Sequence, residues 1–137
     1  MIMKKKVKAI ISKSDTGFVI MMDGFDWAMS YGDTLEEAKA DFENFPKEYI
    51  EVSKEAGKEI PPELNNGELE FEYVYDLSGF FKQFPFISAT ALAKRIGINE
   101  GLMRRYKSGC APVGEQQKRR ILDGLHAIGN ELLSVQF

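Results

Sequence analysis

A single glycine divides what would otherwise be one amphipathic helix near the end of this 137-residue chain, and that break constrains the fold more than any other feature. Ala91-Leu92-Ala93-Lys94-Arg95-Ile96 stops at Gly97, and after Ile98 a second segment runs from Asn99 through Tyr106, Lys107 and Ser108 to Gly109. Glycine suits the joint because it adopts positive φ without steric cost. Ser88 is an N-cap candidate for a helix through Ile96, and Asn99 for the next one, with Gly109 as its stop. Leu92, Ala93 and Ile96 face inward in the first helix, Met103 and Tyr106 in the second, and Ile98 plugs the hinge. Two short helices hinged this way form the arrangement that lays a helix in the major groove of DNA.

The outward positions of the second helix are then Glu100, Gly101, Arg104, Arg105, Lys107 and Ser108. First-turn residues reach base edges, so Asn99, Glu100, Gly101 and Arg104 are expected there; Arg prefers guanine and Glu accepts from cytosine. Arg105 and Lys107 are expected on phosphates, which position the helix without specifying sequence. Together with Ser88 and Ser108 they complete the expected DNA-facing set. Between Lys94 and Arg120 lie eight cations and two acids, Glu100 and Glu115. A solvated helix face is the plain alternative, but so local a bias favours phosphate binding.

The net charge of −3 hides the asymmetry that gives this cluster its meaning. Residues 1–76 hold nine Lys/Arg and seventeen Asp/Glu (−8), whereas 77–137 hold nine and four (+5). Such a split implies two modules with different partners, an anion for the second and a cationic protein for the first. Residues 1–77 are read as an acidic α+β module and 78–137 as a basic all-α domain, joined at Asp76-Leu77-Ser78-Gly79. No apolar run approaches a membrane span, Lys8 interrupts the only leader-like stretch, and a cytoplasmic location is expected. One cysteine, Cys110, excludes an intrachain disulfide.

In the acidic module, Lys5 to Ser12 and Phe18 to Met22 flank the turn cluster Ser14-Asp15-Thr16-Gly17 and read as a β-hairpin, with Trp27 to Tyr31 a short third strand. Thr34 and Glu37 form a capping box at the head of a helix whose apolar stripe is Leu35, Ala38, Phe42, Phe45, Tyr49 and Val52. Pro46 inside that stripe is expected to kink the helix or start a second segment, and Gly57 with Pro61-Pro62 to end it. Glu68 to Leu77 alternates Leu69, Phe71, Tyr73 and Tyr75 against Glu68, Glu70 and Glu72, a strand with one apolar and one largely acidic face. The module is therefore β-β-β-α-β, one helix closing a small sheet.

Gly17-Phe18-Val19, the short third strand and then Tyr31-Gly32-Asp33-Thr34-Leu35-Glu36-Glu37-Ala38 resemble the N-terminal module of the HicB family of toxin–antitoxin antitoxins, over roughly residues 5 to 77. The resemblance implies a partial ribonuclease H fold. Asp23-Gly24-Phe25-Asp26-Trp27 stands where the family has a Pro-Asp-Leu-Pro-Gly-like loop. In the basic half, Leu92-Ala93, Gly97-Ile98, Met103, Tyr106 and Gly109 resemble the helix-turn-helix of the XRE/Cro repressor class and the DNA-binding end of longer HicB antitoxins, from about 78 to 133. Ala89 replaces a Gln that many of that class place on a phosphate, and Val113-Gly114 caps the last helix more weakly than Ser would.

Phe80, Phe81, Phe84 and Phe86 are expected to form an aromatic core packing the first helix of the basic domain onto the next two, ahead of a base-stacking platform. Glu115 to Val135 is the last helix, its stripe of Ile121, Leu122, Leu125, Ile128, Leu132 and Leu133 wider than a three-helix core needs. The surplus serves either a two-fold contact between copies or closure of the core. Gly124 and Gly129 suggest close packing, and His126, alone, makes no metal site.

Nucleolytic ribonuclease H chemistry needs carboxylates converging on divalent metals, but Asp15, Asp23, Asp26 and Asp33 cluster in turns. No catalytic residue, metal ligand or cofactor is expected. The HicB likeness implies a regulator whose acidic module neutralises a small basic HicA-like mRNA-cleaving toxin and whose basic module represses its own promoter as a homo-oligomer on double-stranded operator DNA. A stand-alone helix-turn-helix transcription factor is the alternative, and an active nuclease a third.

Overall fold

The computed structural model describes residues 3–137, with the side chain of Asp26 outside what it describes. The chain is mixed α+β, a four-stranded sheet followed by helices, in two compact units, Met1–Gln83 and Phe84–Phe137.

The first unit runs β1 (Lys5–Lys13), β2 (Phe18–Met22), β3 (Phe25–Gly32), α1 (Leu35–Glu55), a 3-10 turn (Pro62–Gly67), β4 (Leu69–Tyr75) and α2 (Leu77–Gln83). The sheet order is β3-β2-β1-β4, antiparallel except that β4 lies parallel to β1, with Val7 beside Phe71 and Ala9 beside Tyr73. That parallel pair requires a crossover, and α1 supplies it. Its start is fixed as the capping box predicts: Thr34 Oγ1 accepts from the Glu37 amide at 3.1 Å, and Glu37 Oε2 from the Asp33 amide at 3.2 Å. Leu35, Ala38 and Phe42 pack in one core with Ala9, Ile11, Phe18, Ile20 and Met22, and Ile50 is buried farther along the helix. The buried Ser30 hydroxyl donates to the Ala38 carbonyl at 2.8 Å, stitching β3 to α1.

Three expectations are narrowed or corrected here. Of the two outcomes expected at Pro46, a kink or a second segment, the second does not occur: α1 is one 21-residue helix. Pro46 lies on the buried face, where its ring packs and its missing N–H leaves one turn of the ladder unbonded. The third strand is longer than Trp27–Tyr31 and irregular: Met21 pairs with Met29 but Met22 with Phe25, so Asp26-Trp27-Ala28 bulge. The bulge lets the Trp27 ring reach α1, 5.0 Å from Tyr49 and 6.0 Å from Phe45.

The third correction concerns the joint. α2 closes the first unit instead of opening the second, so the compact units divide at Gln83, not at Leu77. β1 outruns β4 by two residues, and the start of α2 satisfies the surplus backbone: the Asp76 amide donates to the Ile11 carbonyl (3.0 Å) and the Lys13 amide to Ser78 Oγ (3.1 Å). Asp76 caps α2, its Oδ1 accepting from Ser78 Oγ (2.6 Å) and the Gly79 amide (2.8 Å). The phenylalanine run therefore builds no single core. Phe81 is buried in the first unit, while Phe86 is 82% exposed and meets Phe84 edge-on in the second.

The second unit contains α3 (Ala89–Ile96), α4 (Glu100–Ser108) and α5 (Glu115–Leu133). Leu92, Ala93, Ile98, Met103, Tyr106 and Ile121 are its buried apolar residues, with Ala89. Among the described residues no helix is long and apolar enough to cross a membrane.

Candidate nucleic-acid interface

The hinge between α3 and α4 is built by local hydrogen bonds that the sequence specifies. Ser88 Oγ accepts from the Ala91 amide at 3.1 Å, starting α3. Gly97 ends it at φ +84°, where L side chains are strained, and the Gly97 and Ile98 amides both donate to the Ala93 carbonyl (2.8 and 2.9 Å). Asn99 Oδ1 then accepts from the Leu102 amide at 2.9 Å, and Gly109 closes α4 at φ +79°. Ile98, 6% exposed, seals the corner.

With Met103 and Tyr106 buried, α4 turns Arg104, Arg105, Lys107 and Ser108 to solvent. Arg104 Nη1 donates to Thr90 Oγ1 at 3.3 Å, bridging α4 to α3. Gly101 leaves that guanidinium room: a Cβ there would lie 3.7 Å from Arg104 Nη2 and 3.3 Å from Asn99 Oδ1. Glu100 faces Lys94 Nζ at 3.8 Å, a loose and exposed pair. Ser88 and Asn99 are both committed as caps through their side-chain oxygens, and Ser108 Oγ donates back to the Arg105 carbonyl at 3.0 Å. Of these three, Asn99 keeps its Nδ2 donors for an outside acceptor.

The eight cations between Lys94 and Arg120 divide into two groups. Arg95 is bound to Glu131, Lys94 to Glu100 and Lys118 to Glu115 (3.2 Å), while Arg120 Nη2 donates to the Gly97 carbonyl at 2.8 Å and braces the hinge from α5. Arg104, Arg105, Lys107 and Arg119 make no ion pair among the described residues. Three of those four lie on α4. Sequence reading missed the parts played by Thr90 and Arg120. Thr90 could have been found from helical position, since an early α3 residue and a mid-α4 residue meet across a tight hinge; nothing local marks Arg120.

The first unit carries ten Lys/Arg against seventeen Asp/Glu (−7) and the second eight against four (+4). The acids of the first are unevenly placed. Register sets Lys6 beside Glu70 and Lys8 beside Glu72, so the face of β4 read as acidic meets cations on β1. The negative surface instead belongs to α1, where Glu37, Asp41, Glu48, Glu51 and Glu55 are exposed along about 30 Å of helix. Where α1 meets β4, Tyr73 donates to Glu43 Oε1 at 2.5 Å beneath Lys39, whose Nζ lies 4.7 Å from the ring centre. Burial, then Glu43, pushes the Tyr73 phenol well above its ordinary pKa.

Asp15, Asp23 and Asp33 are exposed, and Asp26 lies outside the described side chains. Among the described residues no three His, Cys, Asp or Glu gather as a metal site would require. Compared with protein-family models, curated proteins and solved structures, the chain matches none.

Proposed function

We propose that this chain is an antitoxin-like, DNA-binding transcriptional regulator. Its second unit reads an operator through α4 and its first holds a small cationic protein of the HicA toxin type. The observation that carries the DNA half is the partition of cations in the second unit: four are bound inside it, and three of the remaining four are exposed on α4. Arg104, steadied by Thr90, reads a guanine edge, with Glu100 and Asn99 beside it. Arg105 and Lys107 hold phosphates. The protein acts by binding rather than catalysis, and it engages DNA as a homo-oligomer.

The antitoxin half rests on the likeness of the Gly32-Asp33-Thr34…Glu36-Glu37-Ala38 turn to HicB and on the exposed acids of α1, which no cation among the described residues neutralises by an ion pair. Charge complementarity of this kind speeds encounter with a cationic protein and fixes its orientation. A stand-alone transcription factor would share the DNA half but leaves those acids without a use.

The test is selection of bound duplexes from a randomised pool by the full chain, repeated with variants. Arg104→Ala is expected to relax preference at one base pair per half-site and to weaken binding by about 1–3 kcal/mol. Arg105→Ala is expected to weaken all sequences alike. Unchanged selection by both variants refutes the assignment of α4.

A further inference from the structure

The charges of α1 are sorted by flank. At about 100° per residue, Lys39, Lys47 and Lys54 share the flank toward β4, where Lys39 covers the Tyr73 ring. Asp41, Glu48 and Glu55 recur at every second turn and share the flank toward β3. All three are exposed, and none makes an ion pair among the described residues. The neighbouring strands add no compensation, because residues 14–38 contain six Asp or Glu and no Lys or Arg. An apolar ridge runs along this same edge. Phe45 and Tyr49 support the Trp27 ring, which is still 43% exposed, and Val52 beyond them is 64% exposed although it continues the apolar stripe of the sequence. Asp41, Phe45, Glu48, Val52 and Glu55 follow one another at steps of four and three, so each apolar side chain has a carboxylate neighbour on either side along the helix. β3 is an edge strand, and no strand lies beyond it.

We infer that this edge is where the first unit takes hold of its cationic partner, and that the partner supplies an arginine stacked on the exposed face of Trp27. The chemistry of the edge favours arginine over lysine. Tryptophan is the strongest of the aromatic rings for a cation. A guanidinium is planar, so it lies flat on an indole while its N–H groups bond a carboxylate beside the ring, and an ammonium does only one of these at a time. The aliphatic stem of an arginine also covers apolar surface of the kind Val52 exposes. Tryptophan and arginine are the residues that most often anchor an interface, in patches rimmed by polar groups. A second copy of this chain does not suit the edge, since pairing it with itself sets Asp41, Glu48 and Glu55 against the same carboxylates. The inference deepens the proposed holding of a cationic protein and rests on that reading for its use; the preference for arginine rests on β3 and α1 alone.

Titration of the full chain with deca-arginine and deca-lysine tests it, read by the anisotropy of a label on the peptide and by the emission of Trp27, the only tryptophan. Deca-arginine is expected to change Trp27 emission and to bind at least about threefold more tightly than deca-lysine of equal charge. Glu48→Gln/Glu55→Gln should weaken deca-arginine by about fivefold, whereas Glu70→Gln/Glu72→Gln, which removes the same charge from β4, should weaken it by less than about twofold. Trp27→Leu should erase the preference for arginine, a ratio that does not depend on the fraction of protein folded. Equal affinity for the two peptides, or equal weakening by the two glutamine pairs, reduces the effect to bulk charge and overturns the inference. So does Trp27 emission that shifts with protein concentration in the absence of peptide, which would put another copy on this edge. Tight binding of both peptides without involvement of Trp27 overturns the arginine site but keeps a cationic partner; binding of neither removes the cationic partner as well.

Discussion

Gly79→Ala sets two effects of opposite sign against each other. In an ordinary helix interior the change favours folding by about 1 kcal/mol. In α2 the new Cβ would lie 2.2 Å from the Ile11 oxygen, 2.8 Å from the Ile11 carbonyl carbon and 3.2 Å from Ser12 Cα. A carbon needs about 3.3 Å from such an oxygen, and all three neighbours are backbone of β1, which has no rotamer to change. α2 must therefore lift from β1. Lifting strains the hydrogen bonds from Asp76 to Ile11 and from Lys13 to Ser78, about 0.5–1.5 kcal/mol each. It also exposes part of Phe81, whose full burial is worth about 1.5–3 kcal/mol. A partial shift costs on the order of 3 kcal/mol and leaves a net loss near 2 kcal/mol after the propensity gain. Trp27 is the only tryptophan and lies in the first unit against Phe45 and Tyr49, so its fluorescence in urea follows that unit alone. The midpoint should fall by roughly 1 M. An unchanged or higher midpoint refutes the docking of α2 on β1.

Tyr73 makes the first unit sensitive to alkali. Its folded pKa is raised by burial and Glu43, so its contribution is complete below the unfolded value of about 10 and is lost as pH rises from there toward the folded value. Trp27-monitored stability should decline from about pH 10 upward, and Tyr73→Phe should flatten that decline; an identical decline in the variant counts against the pairing with Glu43. In the second unit, Asn99→Ala removes the bond to the Leu102 amide and should cost about 1 kcal/mol in thermal unfolding, whereas Asn99→Ser should recover most of it.

What the sequence made legible is what local chemistry decides. Thr34 with Glu37, Ser88, Asn99, Gly97 and Gly109 each act within a few residues of backbone, and each caps or ends its helix at the expected place. The coarse α+β order and the alternation of β4 were readable for the same reason. The joint was not. Whether Leu77–Gln83 serves the sheet or the helices depends on β1 being longer than β4, a comparison between strands over sixty residues apart. The bulge at Asp26-Trp27-Ala28 follows likewise from which residue of β2 meets which of β3. In the candidate interface, exposure of Arg104, Arg105 and Lys107 followed from the inward spacing of Met103 and Tyr106, while the commitments of Arg95 and Arg120 come from α5 folding back on α3 and the hinge.

Those commitments change how charge should be read in a small domain. A count of cations treats Arg95, Arg120 and Arg104 as equals, yet one closes a pair with Glu131, one binds a carbonyl at the hinge and one is held by an uncharged hydroxyl. Only the last is held by neither a carboxylate nor the backbone of the hinge. An exposed ion pair is worth little to stability, so Lys94 and Lys118 can exchange Glu100 and Glu115 for a phosphate at small cost. Arg120 cannot leave Gly97 without loosening the turn that orients α4. The interface is thus graded: a fixed brace, exchangeable flanking lysines, and α4 cations already free. That grading, more than the net +4, is what the proposed phosphate-binding role of the second unit rests on.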